Sequence, residues 1–456
     1  MLMPTIAPTV APTIAQAAAD LEAGRTTARK LVEACLERIE APDGQGARVF
    51  LRVYADQARA SADAVDALRR VGRAPGPLAG IPISAKDLFD VAGERTAAGS
   101  RVLAEATPAT HHATVIARCL AAGLILVGRT NMTEVAFSGI GINPHFGTPS
   151  SPWQRDIGHV PGGSSSGAAV SVADGMALAG LGTDTGGSCR VPAAFCGIVG
   201  YKPTARRVPT TGVLPLSPSL DSVGPLAASV ACCATIDAVL AGQTLPDTKP
   251  MALRGLRLAV PGNMVLDGME PAVAEAFNRA LNRLDTLGVR VTHLSFPQFE
   301  QIEDATAEGG FAAAEAHEWH RATLADQAEI YDPRVRTRIE RGQSMTAGEY
   351  IRLTRRRAEI IASMNAATAP FDAVAMPTAP ILPPSIASLA DDAAFTRQNT
   401  LALRNTSLGN FLDRCAISLP ANRPGQAPVG FMLMGETNQD ARLFSIAAAV
   451  ETVLRG

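Results

Sequence analysis

Aromatic side chains are scarce: they make up 4% of the 456 residues, with only 2 Trp and 4 Tyr. That argues against a broad aromatic pocket, although a few rings suffice to line one. Neither sign of charge dominates. The 41 Lys and Arg against 43 Asp and Glu leave a net charge of −2, so no electrostatic footprint points to nucleic acid. The densest basic stretch, Arg352 to Arg357, falls in a helical pattern and is expected to be a solvated helix face. The 7 cysteines include no CxxC pair and no Cys/His cluster with zinc spacing, and the 7 histidines include no HExxH. No metal and no other cofactor is therefore expected. Scattered, odd-numbered cysteines suit reduced thiols in a cytoplasm. Every long apolar stretch is broken by Gly, Asp or Arg before the roughly 18 to 20 residues that cross a bilayer, so no membrane association is expected. The opening segment, MLMPTIAPTVAPTIAQ, lacks the basic start and continuous apolar core of a signal peptide. Its prolines predict a flexible arm over residues 1–12, leaving 13–456 as a single domain.

What is present describes a globular chain, 47% apolar and 18% charged. Thr27 can cap a helix running to Ile39, with Leu31, Cys35 and Ile39 as its buried stripe. A second helical pattern covers Asp56 to Arg69. After a Gly/Pro turn, Ile81 to Lys86 reads as a short strand ending at a lysine, its proline suited to a strand start or edge. The centre alternates: Val115–Ala122 helical, Leu124–Val127 a strand, Ala168–Gly175 helical, Ala177–Leu181 a strand. Further on, Leu256–Val260 is a strand. A helix with Val273, Phe277, Leu281 and Leu284 on one face follows it, and Val289–Leu294 returns as a strand. That β-α-β unit predicts the α/β class: a central mixed sheet covered by helices on both faces, with the chemistry at one edge of the core. Gly242 to Pro250 reads as a surface loop, and Arg334 to Ala362 as one charged helical region covering a side of the core.

Two Gly/Ser loops stand out: Pro161-Gly162-Gly163-Ser164-Ser165-Ser166-Gly167 and Gly182-Thr183-Asp184-Thr185-Gly186-Gly187-Ser188. Each adjoins apolar, small-residue segments, which is no place for a flexible linker. Neither fits GxxxxGK[ST] or GxGxxG, so phosphate binding is disfavoured. A tight-turn role is open to both. The run Thr185 to Ser188 also offers closely spaced backbone N–H donors beside a hydroxyl, the arrangement that stabilises an acyl oxyanion. A serine nucleophile needs a base. A Ser-His-Asp triad is not excluded by composition, but no Gly-x-Ser-x-Gly elbow is present, and His159 has no motif around it. A lysine kept neutral by burial is the other option, and Lys86 follows an apolar strand.

These residues resemble the amidase-signature hydrolases. That family carries a lysine in a G-[IV]-P-x-x-x-K-[DE] context, a GGSS loop and a G-T-D-x-G-G-S-x-R-x-P-A segment. Here they read Gly80 to Asp87, Gly162 to Ser165 and Gly182 to Ala193. The two serines are 188 − 164 = 24 residues apart, as in the family. The blocks Gly128 to Glu134, Phe146-Gly147, Tyr201 to Thr204, Asp221 to Pro225 and Pro428 to Gly430 with Asp440 match as well, so the likeness spans nearly the whole chain. Two blocks depart: Ala205-Arg206 replaces a usual Gly-Arg step, and Ser151-Pro152-Trp153 replaces Asn-Pro-Trp.

The resemblance implies the amidase-signature fold and an amide hydrolysis. Ser188 would be the nucleophile, Ser164 the proton relay after a cis Gly163–Ser164 peptide, and Lys86 the base. Backbone groups of Thr185, Gly186, Gly187 and Ser188 would form the oxyanion hole. Arg190 would orient the nucleophile loop by pairing with Asp184, Ser165 would support the site by hydrogen bonding, and Ser166 would be a plain loop residue. Cys189 is expected to be a small buried residue rather than the nucleophile. The expected partner is a small-molecule amide, with a homodimer compatible. A stand-alone amidase is favoured, because the C-terminal half does not closely follow the amidotransferase pattern. The rivals are the amidase component of a tRNA-dependent amidotransferase, releasing ammonia from glutamine and working with partner subunits, and a non-catalytic binding protein that kept the fold.

Overall fold

In a computed structural model of the chain, residues 12–455 are described. Of the expected N-terminal arm, all but Pro12 lies outside the described residues.

Eleven strands form one sheet: β1 (Phe50–Val53), β2 (Pro82–Lys86), β3 (Ile125–Thr130), β4 (Ala179–Asp184), β5 (Val199–Lys202), β6 (Ser222–Ala227), β7 (Arg257–Pro261), β8 (Arg290–Leu294), β9 (Ala373–Pro377), β10 (Ala416–Pro420) and β11 (Gly430–Met434). Their order is β1-β3-β2-β4-β6-β5-β10-β11-β9-β7-β8. The sheet is mixed. β2 runs parallel to β3 and β4, while β4 runs antiparallel to β6. Every residue of β2, β3, β4, β6, β9 and β11 is buried. Successive side chains point to opposite faces, so these strands are covered on both. The terminal strands β1 and β8 expose alternate residues, as edges do.

The expected β-α-β unit is present. β7 leads into the helix Pro271–Thr286, which buries Val273, Phe277, Leu281 and Leu284, and β8 returns parallel to β7. Pro82 takes the first position of β2, where a missing N–H costs the sheet nothing.

Some elements differ from expectation. Thr27 caps the helix Ala28–Glu40 by accepting the Lys30 N–H at 3.1 Å. Its buried face is Val32, Cys35, Leu36 and Ile39, with Leu31 only partly covered, because the stripe follows the 3.6-residue repeat rather than steps of four. Arg334 to Ala362 is not one helix. Pro333–Glu340 and Ala347–Thr368 are separated by a short turn around Gly342, where any Cβ would lie 2.1 Å from the Ala313 carbonyl oxygen. Nor is Arg352 to Arg357 solvated throughout: Arg357 is buried, ion-paired to Asp413 at 2.6 Å and donating to the Phe411 carbonyl. Ser166 is the first residue of the helix Ser166–Ala173 rather than a loop residue. The catalytic loops also sit centrally, at the C-terminal ends of β2 and β4, and not at an edge.

Candidate active site

Lys86 is the last residue of β2, and Thr183 is the penultimate residue of the adjoining β4. Parallel pairing brings both strand ends together, and there the Lys86 ammonium donates to Ser164 Oγ and to Thr183 Oγ1, each at 2.8 Å. Lys86 is wholly buried, and no carboxylate is hydrogen-bonded to it among the described residues. Burial therefore pushes the amine down to about 7, against the opposing pull of Cys189, Asp221 and Asp184.

Ser164 reaches the lysine from the loop between Val160 and the helix Ser166–Ala173. Its peptide with Gly163 is cis. The loop is pinned on three sides. Gly163 N–H donates to the Gly139 carbonyl, the Ser164 carbonyl accepts Thr133 N–H, and Ser165 N–H donates to the Ser188 carbonyl. That last bond, at 3.3 Å, ties the two Gly/Ser loops together. Ser165 Oγ donates to the Thr183 carbonyl. Ser188, 4% exposed, lines a cavity of about 340 Å³ that also touches Thr185 and Gly186. Among the described residues, no protein acceptor takes the N–H of Thr185, Gly186, Gly187 or Ser188. These donors precede the helix Arg190–Cys196, the usual place for free N–H groups.

The loop between β4 and that helix is braced from below. Arg190, fully buried, grips both oxygens of Asp184 at 2.8 and 3.0 Å and also reaches the Thr406 carbonyl and Asn410 Oδ1. Burial alone would raise the Asp184 carboxyl; Arg190, with Lys202 and Asn410, overcomes it and holds the group at about 2. Cys189 points away from the cavity. Its N–H donates to Asp184, its thiol to the Gly224 carbonyl, and burial drives its pKa up. The remaining family blocks also meet here. Asp221 accepts Thr185 Oγ1–H at 2.5 Å, and Asp440 accepts Tyr201 and Thr204.

Several site residues escaped the sequence reading. Thr183 stands within a family motif but had no assigned role. Thr406 and Asn410, on the helix Asp392–Phe411, carry no motif at all; they contact the nucleophile loop only through tertiary folding. Arg338 lines the cavity from the helix Pro333–Glu340.

The amidase family model matches residues 30–444. The chain belongs to that family. Among amidase-family relatives it is 38% identical over 410 residues to 2-amino-5-chloromuconic acid deaminase of Comamonas testosteroni, covering 87% of each chain. It is 34% identical over 468 residues to the amidase component (GatA) of the glutamyl-tRNA(Gln) amidotransferase of Synechococcus sp. (strain CC9605), covering 94% of each. An amidase crystal structure superposes with a TM-score of 0.87 at 32% identity, over 97% of this chain and 99% of that one. The amidase-signature fold expected from the motifs is thus the observed one. Among the described residues, no helix is long and apolar enough to cross a membrane.

Proposed function

We propose that this amidase-family chain is a stand-alone hydrolase that cleaves a carboxylic amide through an acyl-enzyme on Ser188. One observation carries the reading: a buried lysine pushed down to about 7 lies 2.8 Å from Ser164 Oγ, whose loop is bonded to that of Ser188. Neutral Lys86 accepts the Ser164 proton while Ser164 accepts that of Ser188, and Ser188 Oγ attacks the amide carbon. The free N–H groups of Thr185 to Ser188 stabilise the oxyanion. The proton then returns through Ser164 to the departing nitrogen, and the C–N bond breaks. Water, deprotonated by the same relay, releases the carboxylate and regenerates Ser188. In this reading Asp184 and Arg190 hold the loop, and Ser165 supports it.

The cavity wall supports an acidic acyl group. Its charged residues are Arg338, Arg341 and Arg404 against Glu303 alone. Arg338 makes no ion pair or hydrogen bond among the described residues. Its guanidinium lies over the Phe137 ring at 4.8 Å, with Nε buried and lacking an acceptor. Desolvation and Arg341 lower its pKa to about 10, so it stays charged at neutral pH. A substrate carboxylate would supply the missing acceptor. The substrate named for the Comamonas testosteroni relative is itself an acid. Glutamine, the ammonia source in the rival amidotransferase reading, would bring an ammonium against a net positive wall.

The test is a panel of primary amides with wild-type protein and Ser188→Ala. Expected are covalent labelling of Ser188 by a fluorophosphonate, no turnover by the variant, and kcat/KM for succinamic acid at least about tenfold above that for glutamine. Absence of label on Ser188 contradicts the acyl-enzyme and favours a binding protein. Glutamine as the best substrate, with partner subunits co-purifying, favours the amidotransferase reading.

A further inference from the structure

We infer that Thr406 is a positioning residue for the oxyanion hole, setting the Gly186–Gly187 peptide so that the Gly187 N–H is held toward the reacting oxygen. The inference rests on the acyl-enzyme reading above. Thr406 lies in the last turns of the helix Asp392–Phe411 and is wholly buried. A helical threonine hydroxyl ordinarily bonds to a carbonyl three or four residues back. Thr406 Oγ1 does lie 3.2 Å from the Leu403 carbonyl, but its shorter bond, at 2.6 Å, goes to the Gly186 carbonyl, 220 residues away in sequence.

That carbonyl and the Gly187 N–H belong to one planar trans peptide, so they point in opposite directions. Anchoring the oxygen on Thr406 therefore fixes where the N–H points. No protein acceptor takes that N–H among the described residues, which leaves it free for substrate. The second half of the argument is steric. Gly187 has φ +140°, a conformation side chains rarely adopt, and a Cβ there would lie 2.1 Å from Thr406 Oγ1. The helix is also held against the loop by Arg190, which donates to the Thr406 carbonyl, and by Asn410, which donates to the Asp184 carbonyl at 2.9 Å. A peptide with no such anchor could rotate and turn its carbonyl oxygen into the site.

The experiment uses Thr406→Val, which keeps shape and removes the donor, and Thr406→Ser, which keeps the donor. Turnover is read with the p-nitroanilide of succinic acid, and acylation by the rate at which a fluorophosphonate labels Ser188. Thr406→Val should lower kcat by about 10- to 100-fold, somewhat less than outright loss of an oxyanion donor, with KM within about twofold. The labelling rate should fall by a similar factor, and the pH dependence should keep its position. Thr406→Ser should restore kcat to within about threefold of wild type. If Thr406→Val does not fold, Thr406→Ala is read the same way. Normal kcat and labelling in the hydroxyl-free variant overturn the inference, as does Thr406→Ser failing as badly as Thr406→Val. Ser188→Ala separates the two levels. If it is inactive while Thr406→Val is normal, only the role of Thr406 falls; if wild-type Ser188 takes no label, the acyl-enzyme reading falls and takes this inference with it.

Discussion

Two lysines are wholly buried at neighbouring places in this sheet, and their partners divide them. Lys202 donates to the carbonyls of Pro203 and Arg414, both at 2.8 Å. Carbonyls have no proton to give, so Lys202 is a structural cation, although burial and Arg190 push it down to about 8 against the pull of Asp184. Lys86 instead meets two hydroxyls, and a hydroxyl can return a proton to a neutral amine. The charged form of Lys86 is costly. Its folded value, about 7, lies below the ordinary lysine value of 10.5. Between these pH values the unfolded chain binds more protons, so stability gains as pH rises from 7 to 10.5, and the full penalty applies below 7. Lys86→Met should therefore raise the melting temperature at pH 6 relative to wild type, with the advantage shrinking by pH 10. Thermal melts at both values check this. The role of Lys86 was legible only through its family motif, since a lone strand-end lysine is usually solvated. Nothing in the sequence set Lys202 apart as buried.

At the scale of elements, the strongest brace is the pair Asp184–Arg190 under the nucleophile loop. Removing one partner strands a buried charge, so Asp184→Asn should cost about 3–5 kcal/mol, read from the urea midpoint. Arg190→Lys should not rescue the loop, because an ammonium cannot hold both carboxylate oxygens and still reach Thr406 and Asn410. With Asp184 held at about 2, its contribution is full above the ordinary 3.8 and is lost as pH falls toward 2. The periodic elements were legible: the helix Pro271–Thr286 shows its stripe, and β2 and β4 are short apolar runs closed by motif residues. The helix Asp392–Phe411 was not. It buries Asn399, Asn405, Thr406 and Asn410 among its apolar residues, so its inward face is polar and shows no hydrophobic repeat. Those buried amides and hydroxyls are satisfied by carbonyls from distant segments, which no local pattern reveals.

Across the whole molecule the net charge is only −2, yet the cavity wall carries three arginines to one glutamate. Net charge thus concealed a local positive field, because the arginines come from separate helices that only the fold brings together. If that field selects the substrate, kcat/KM for an anionic amide should fall as ionic strength rises, while that for a neutral amide of equal size should stay level. Arg338→Met should remove most of the preference for the anionic amide, by about tenfold or more, and leave Ser188 labelling intact. Rates across a salt series for the two amides check both outcomes.

The central claim is that Lys86 acts as the neutral base through Ser164, and the pH dependence of acylation tests it most directly. Fluorophosphonate labelling of Ser188 would be timed across pH for wild type, Lys86→Met, Ser164→Ala and the double variant. The wild-type rate should rise along a limb centred near pH 7, well below an ordinary lysine. Lys86→Met should lose both the limb and most of the rate, and adding Ser164→Ala should cost little more, since a relay fails as a unit. A Lys86→Met variant that keeps a near-normal rate and the same limb would contradict the account.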